Sequence, residues 1–438
     1  MTTPGKKTLS GFNSSFYSAE VITERLLQFI WQFQYFNQNE LATTQGEPLQ
    51  ILHPGNHNLN QGPDFQNAKI KIQNTTWAGN IEVHLKTSDW NRHRHSADKN
   101  YDTVILHVVW ENDRSETPAP VLELKTRVPG LLLKRYEELM KSAAFIPCEK
   151  SISSVKDIIW KTWKERLLAE RLMRKTKTVE KYLSENNHHW EETLWWMLAK
   201  NFGIKVNTDA FGAIARSVPV NILSKHKNQI HQLEALLLGQ ARLLEGKFSD
   251  AYAKLLQKEY RFLKEKYRLQ PIHQPVLFLR MRPGHFPTVR LAQLAMLVSR
   301  STHLFSKIKE ATTAEEVVEW FDITASKYWH CHYRFDETSP PKKKKLGKTM
   351  IDNIIINTIC PVLFAYGQYH GEQSCKDKAI GWLQKIKAEN NAITRGFLNA
   401  GMKSKNAFDS QAMIELKNEY CNNKKCLSCG VGNAILKG

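Results

Sequence analysis

The hexapeptide Ile81-Glu82-Val83-His84-Leu85-Lys86 alternates apolar and polar side chains without a break. A period of two belongs to a strand with one buried face. The chain must therefore build a sheet with Ile81, Val83 and Leu85 toward a core. Glu82, His84 and Lys86 then share the other face, a carboxylate, an imidazole and an amine in one row. A second strand is expected over 68–73, preceded by Gly62-Pro63-Asp64-Phe65. A hairpin turning within 74–78 brings Asp64 beside Glu82. Two close carboxylates repel each other unless a cation lies between them. Mg²⁺ or Mn²⁺ takes such oxygen ligands, and Lys86 or His84 can then orient or deprotonate an attacking water. The competing reading is a Pro-Asp turn beside a solvated strand face.

Further strands are expected over 49–53, 103–110 and 121–125. Helices are expected over 18–36 and 131–142. Ser18 is the N-cap of the first, with Val21, Leu26, Ile30 and Phe33 toward a core. These elements predict an α/β domain over 18–150, behind a disordered tail at 1–17. From about 150 the pattern turns helical. A basic helical domain is expected over 151–310 and a C-terminal helical domain with a cysteine cluster over 311–438.

Charge divides along the same line. The 438 residues carry 62 Lys and Arg against 43 Asp and Glu. Residues 1–150 hold 16 of each sign, so the whole excess of +19 lies beyond them. Such a surplus suits a polyanionic partner such as nucleic acid. Over 156–181 nine basic side chains accompany Trp160, Trp163, Leu167 and Leu172 near helical spacing. That is a basic amphipathic helix, read either as a solvated face or as a phosphate-contacting one. No signal peptide or membrane span is expected, and a cytoplasmic, reduced protein is the default.

The Pro63-Asp64 … Glu82-x-His84-x-Lys86 pattern and this element order resemble the PD-(D/E)XK nuclease superfamily, the restriction-endonuclease-like fold. In that motif Lys follows the acid by two residues; here His84 holds that place and Lys86 comes two later. The resemblance covers roughly 18–128. It implies a metal-dependent nucleic-acid hydrolase with Asp64 and Glu82 on the metal and Lys86 or His84 positioning water. It also nominates a helix carboxylate, Glu20 or Glu24. The alternative is a non-catalytic nucleic-acid-binding or scaffold protein that kept the fold. A second resemblance covers nearly the whole chain. Gly62-Pro63-Asp64-Phe65, Ser88-Asp89-Trp90 with His93 and His95, Arg282-Pro283 through Phe286-Pro287 and the cysteine-rich end are similar to a Bacteroidetes-type family of unknown function.

Other residues compete for roles. His84, His93, His95 and Asp98 could hold Zn²⁺ or Mn²⁺. Alternatively Arg92, His93, Arg94 and His95 touch phosphate at the rim. His107, inside an apolar strand, reads as a satisfied core histidine. Arg280, Arg282 and His285 precede a helix and could hold an anion. Ser339-Pro340-Pro341 with Lys342 to Lys345 reads as a solvated linker. Cys421, Cys426 and Cys429 suit structural Zn²⁺ or an iron–sulfur cluster. Their sulfurs are then expected about 4 Å apart, with Cys375, Cys360 or a histidine as fourth ligand. Lys424 and Lys425 are expected to favour the thiolates.

Overall fold

The structure, a computed structural model, describes residues 22–114, 118–278, 281–301 and 303–438. Ser18, Glu20, Val21 and Arg280 lie outside the described residues. The alternating hexapeptide belongs to β4 (Thr75–Lys86), the longest strand of a mixed sheet. Strands β1 (Leu49–His53), β3 (Phe65–Ile72), β4, β5 (Val104–Glu111) and β6 (Val121–Glu123) follow in that spatial order. β2 (Asn56–His57) pairs with β3. β1, β3 and β4 run antiparallel, whereas β5 and β6 are added parallel.

The β3–β4 hairpin turns on Gln73 and Asn74, earlier than expected, with Gln73 at φ 52°. A left-handed residue there lets two residues reverse the chain, so Thr75 already pairs with Ile72. Ile81 and Val83 enter one core with Phe65, Ile70, Leu106 and Val108. The other side of that core comes from α1 (Glu24–Gln32) through Leu26, Leu27 and Ile30, and from α3 (Gly130–Lys141) through Leu132 and Leu133. Thr23 caps α1 by accepting from the Leu26 amide. Its side-chain oxygen serves one of the orphan donors of the first turn.

The chain divides into two units, Met1–Trp163 with Lys417–Gly438, and Lys164–Leu416. This division replaces the boundaries expected at 150 and 310. The cysteine-bearing tail joins the sheet unit because Cys426 and Leu436 share the core of α1 and α3.

The second unit is helical around its own core. The basic stretch of 156–181 packs Trp160, Trp163, Leu167 and Leu172 inward and leaves most of its basic side chains exposed, while a few are engaged. Lys164 pairs with Asp409 at 2.7 Å, and Arg171 and Arg174 both meet Glu415. Of the lysine run, Lys342, Lys343 and Lys345 are exposed and Lys344 is buried. Lys344 is 5% exposed, its Nζ donating to the carbonyls of His330 and Lys342, and Lys345 pairs with Asp322 at 2.8 Å. One helical stretch, Lys348–His370, is long and apolar enough to cross a membrane, contrary to the expectation of none. Most of it is buried, through residues of the unit's core such as Ile355, Ile359 and Leu363.

Candidate metal centre

Asp64 is placed by the loop before β3. Gly62 takes φ 101°, a conformation open to glycine. The Asn58 side chain donates to the carbonyls of Gln61 and Pro63, and the Asn58 amide to that of Asp64. β3 starts at Phe65, opposite Ile81. β4 runs on beyond it, so the Val83 amide lacks a partner strand on that side. Asp64 Oδ2 accepts from it at 3.2 Å. The Asp64 amide donates to Glu82 Oε2 at 3.1 Å. Each carboxylate is thus tied to the other's strand, as the hairpin required. Gln28 of α1 donates to Asp64 Oδ1 at 2.9 Å.

The parallel register sets His107 of β5 opposite Glu82. His107 is fully buried, and its Nε2 lies 2.9 Å from His84 Nδ1. Its Nδ1 has no hydrogen-bond partner among the described residues. This corrects its reading as a satisfied core histidine, since its one bond serves to orient His84.

The connection from β4 to β5 supplies the remaining imidazoles. It opens with α2 (Asp89–Arg92) and then turns at Arg94, which is left-handed at φ 60°. That turn brings His93 and His95 back to one point. Tyr101 stacks on His95 at 3.8 Å between ring centres, and Trp90 meets the same ring edge-on.

His84 Nε2 is the focus. It lies 3.2 Å from His93 Nδ1, 3.3 Å from His95 Nε2 and 3.4 Å from Glu82 Oε1. His95 Nε2 is also 3.4 Å from Glu82 Oε1. One ring proton cannot serve three acceptors at once, whereas a cation among the three imidazoles satisfies them together, with Glu82 beside His84 and His95. Donors bonded at about 2.0–2.1 Å stand about 3.0 Å apart in an octahedral shell and about 3.4 Å in a tetrahedral one. The observed spacings fall in that range. The three histidine donors all lie within 4.8 Å of one another.

The charges agree. Burial first, then the neighbouring Asp64 and Glu24, push the Glu82 carboxyl up to about 8. Burial also raises Asp64, with Glu24 adding to it against the bonds from Gln28 and Val83. Near neutral pH the pair therefore retains a proton that a cation would displace. Burial, then His107, His95 and His93, press His84 down to about 2, which keeps it neutral, the state that ligates metal. Burial, followed by the charges of Glu82 and Asp64, lifts the Tyr101 hydroxyl to about 12.

Asp64, Glu82, His84, His93 and His95 therefore come together, and Glu24 of α1 acts on both carboxylates. Asp98 does not join, because its side chain caps the turn at Asn100. Lys86 stands exposed at the end of β4. Asp113 pays a slight burial penalty, yet its carboxyl is held low by the Ser88 donors and then by the Lys86 charge. Arg92 is exposed at the rim and pairs with Asp89 at 3.1 Å.

The chain matches, over residues 24–392, the model of a family described as a protein of unknown function, DUF2851. It belongs to that family. No curated protein and no solved structure matches it. The span matched to DUF2851 includes every residue of the centre from Glu24 to His107.

Arg282 belongs to the second unit and is exposed. There His285 is lowered by burial, then by Arg290 and Arg282. His285 and Arg290 line a pocket of about 830 Å³ with Lys200, Lys205 and Asn357. The C-terminal thiols are free and belong to the first unit. Cys375 and Cys360, offered from sequence as their fourth partner, lie in the second. Burial, then Cys429, raises Cys426 to about 12, and Lys424 offsets this only in part, its Nζ donating to the Met140 carbonyl. The thiolates expected from the two lysines are thus not favoured without a metal. The residues that sequence reasoning missed are Gln28, Asn58, Tyr101 and the orienting part of His107.

Proposed function

We propose that the first unit is a metal-dependent phosphodiesterase acting on nucleic acid. The observation that carries this reading is the spacing of Glu82 Oε1, His93 Nδ1 and His95 Nε2 around His84 Nε2, at 3.2–3.4 Å. The three imidazoles are the ligands, and the Glu82 carboxylate stands beside His84 and His95 to offset the charge of the ion. Three imidazoles suit Mn²⁺ or Zn²⁺ better than Mg²⁺, which prefers oxygen. A divalent ion bound there would acidify a bound water and polarise a phosphoryl oxygen. Asp64 is only half-buried and is the general base, its Oδ1 steadied by Gln28. Tyr101 keeps its proton and its ring braces His95. Arg92 and exposed His93 stand at the mouth for phosphate.

Two further features support this reading. A mixed sheet with an acidic pair at the β3 start and on β4 is what the resemblance to restriction-endonuclease-like nucleases implies. The net charge of +19 favours a polyanionic substrate, and affinity should then fall steeply with salt. The protein is expected to act in the cytoplasm.

The test is cleavage of single- and double-stranded DNA and RNA by the full chain with Mg²⁺, Mn²⁺ or Zn²⁺. Cleavage should be strongest with Mn²⁺ or Zn²⁺. Asp64→Asn should lose on the order of 10²-fold or more in rate while still binding metal, as removal of a general base does. Glu82→Gln should lose both binding and cleavage. Salt-sensitive nucleic-acid binding without cleavage under any metal would overturn the catalytic reading in favour of a binding protein.

A further inference from the structure

We propose that Cys148, Cys421, Cys426 and Cys429 together hold an iron–sulfur cluster, with Cys148 as the fourth ligand. Cys148 lies far upstream in sequence, between α3 and the 3₁₀ turn Glu149–Ser154. The fold brings it to the tail. Cys148 packs on the same hydrophobic core as Cys426. Lys417 Nζ donates to the Phe145 carbonyl at 2.6 Å, just before Cys148. The helix Gly430–Lys437 packs on both α3 and the Glu149–Ser154 turn. Cys148 lies close enough to Cys429 and Cys426 to feel their charge, and Cys421 feels all three.

The thiols have the surroundings of a bound cluster. Cys426 and Cys429 are each 7% exposed. Cys429 stands at the start of the helix Gly430–Lys437, and its sulfur receives hydrogen bonds from the Val431 and Gly432 amides. Gly432 permits the approach, because a Cβ there would meet the Cys426 carbonyl oxygen at 2.2 Å. Two buried and two half-buried sulfurs, none in a disulfide, repel one another as thiolates. Metal removes that penalty.

The spacing selects the metal group. Ligand sulfurs at about 2.3 Å from a single Zn²⁺ must stand about 3.8 Å apart. Among the described residues, the donors that all fall within 4.8 Å of one another are those of His84, His93 and His95, and no three of these sulfurs form such a set. The expectation of three sulfurs about 4 Å apart is thereby corrected. A polynuclear cluster spreads its cysteines over two or more irons and so holds them wider than a single ion does. The run Cys421-x4-Cys426-x2-Cys429 with one remote cysteine is also an iron–sulfur ligand spacing.

The test is to purify the full chain without oxygen and to measure iron, acid-labile sulfide, zinc and the visible spectrum. Iron and sulfide at near-stoichiometric level, with an absorption that dithionite bleaches, are expected. Cys148→Ser should lose most of the cluster, whereas Cys375→Ser and Glu82→Gln should keep it. Native alkylation of the wild type serves if Cys148→Ser does not fold. The four thiols should be protected before chelation and labelled after it. Stoichiometric zinc without sulfide overturns the proposal. So do four thiols that label freely in the native protein, or a full cluster in folded Cys148→Ser.

Discussion

Glu415 and Glu82 are buried to nearly the same degree, at 2% and 5% exposure, and the protein treats them in opposite ways. Glu415 is met by two guanidinium groups, Arg171 at 3.2 Å and Arg174 at 2.5 Å. Gln411 takes the Arg171 Nε, so the network closes on itself. Glu82 is met by another carboxylate, the field of a third and imidazoles that burial keeps neutral. Burial that serves structure supplies its own opposite charge. Burial at the centre supplies none from the chain itself.

The largest effect that could break this contrast is on stability. Glu415→Ala strands the buried Arg171 and should cost about 3–5 kcal/mol, as loss of one partner of a buried pair does. Glu82→Gln relieves repulsion and should change stability by less than about 1 kcal/mol in metal-free protein. Denaturant unfolding of both variants decides. Equal losses would show that Glu82 is a structural acid like Glu415.

Next comes pH. The Glu82 carboxyl rises from its ordinary 4.5 to about 8 in the metal-free fold. The folded state then holds a proton that the unfolded chain has released. Its stabilising share is whole below pH 4.5 and is lost as pH climbs through about 8. His84 works the other way, falling from 6.5 to about 2, so its share is whole above 6.5 and is lost toward acid. Thermal unfolding between about pH 5 and about pH 9 should show the metal-free Tm declining on the alkaline side. Mn²⁺ should erase that decline. A metal-free Tm that climbs from neutral to alkaline pH would contradict the assignment.

A smaller effect sharpens the contrast. His107→Leu removes the group that orients His84 and should weaken Mn²⁺ or Zn²⁺ binding about 10–100-fold, as loss of a ligand's supporting bond does. Titration calorimetry reads it, and unchanged affinity would reduce His107 to core filling. Smallest is Gln28→Ala, which deletes one donor to Asp64. It should cost about 1 kcal/mol or less and shift the Asp64 titration upward in an NMR pH series. A downward shift would place Gln28 outside the centre's electrostatics.

The sheet was legible because its signal is local. Ile81 and Val83 point to the core and Glu82 and His84 away from it, as a period of two dictates. Alternation fixes the face but not where cover ends, and Lys86 of the same row is exposed. Asp64 could be placed beside Glu82 from one hairpin. His93 and His95 converge through a left-handed Arg94, a conformation that an arginine does not advertise. His107 faces Glu82 through parallel register, which joins strands separated by a whole crossover. Lys164, Arg171 and Lys344 looked solvated like their neighbours because Asp409, Glu415 and the His330 carbonyl are remote in sequence.

The nine-residue helix α1 has one more consequence. Within little more than a turn it offers Gln28 to Asp64 and the field of Glu24 to both carboxylates. From the same turn Arg25 donates to Ser428, next to Cys429, and beyond its end Tyr35 donates to Asn433. The helix is therefore a common wall between imidazole and thiol chemistry. Whatever orders residues 426–433 also narrows the positions open to Gln28 and Glu24. One short helix thus fixes side chains on both sides of the first unit at once, and a change that moves it is felt by both.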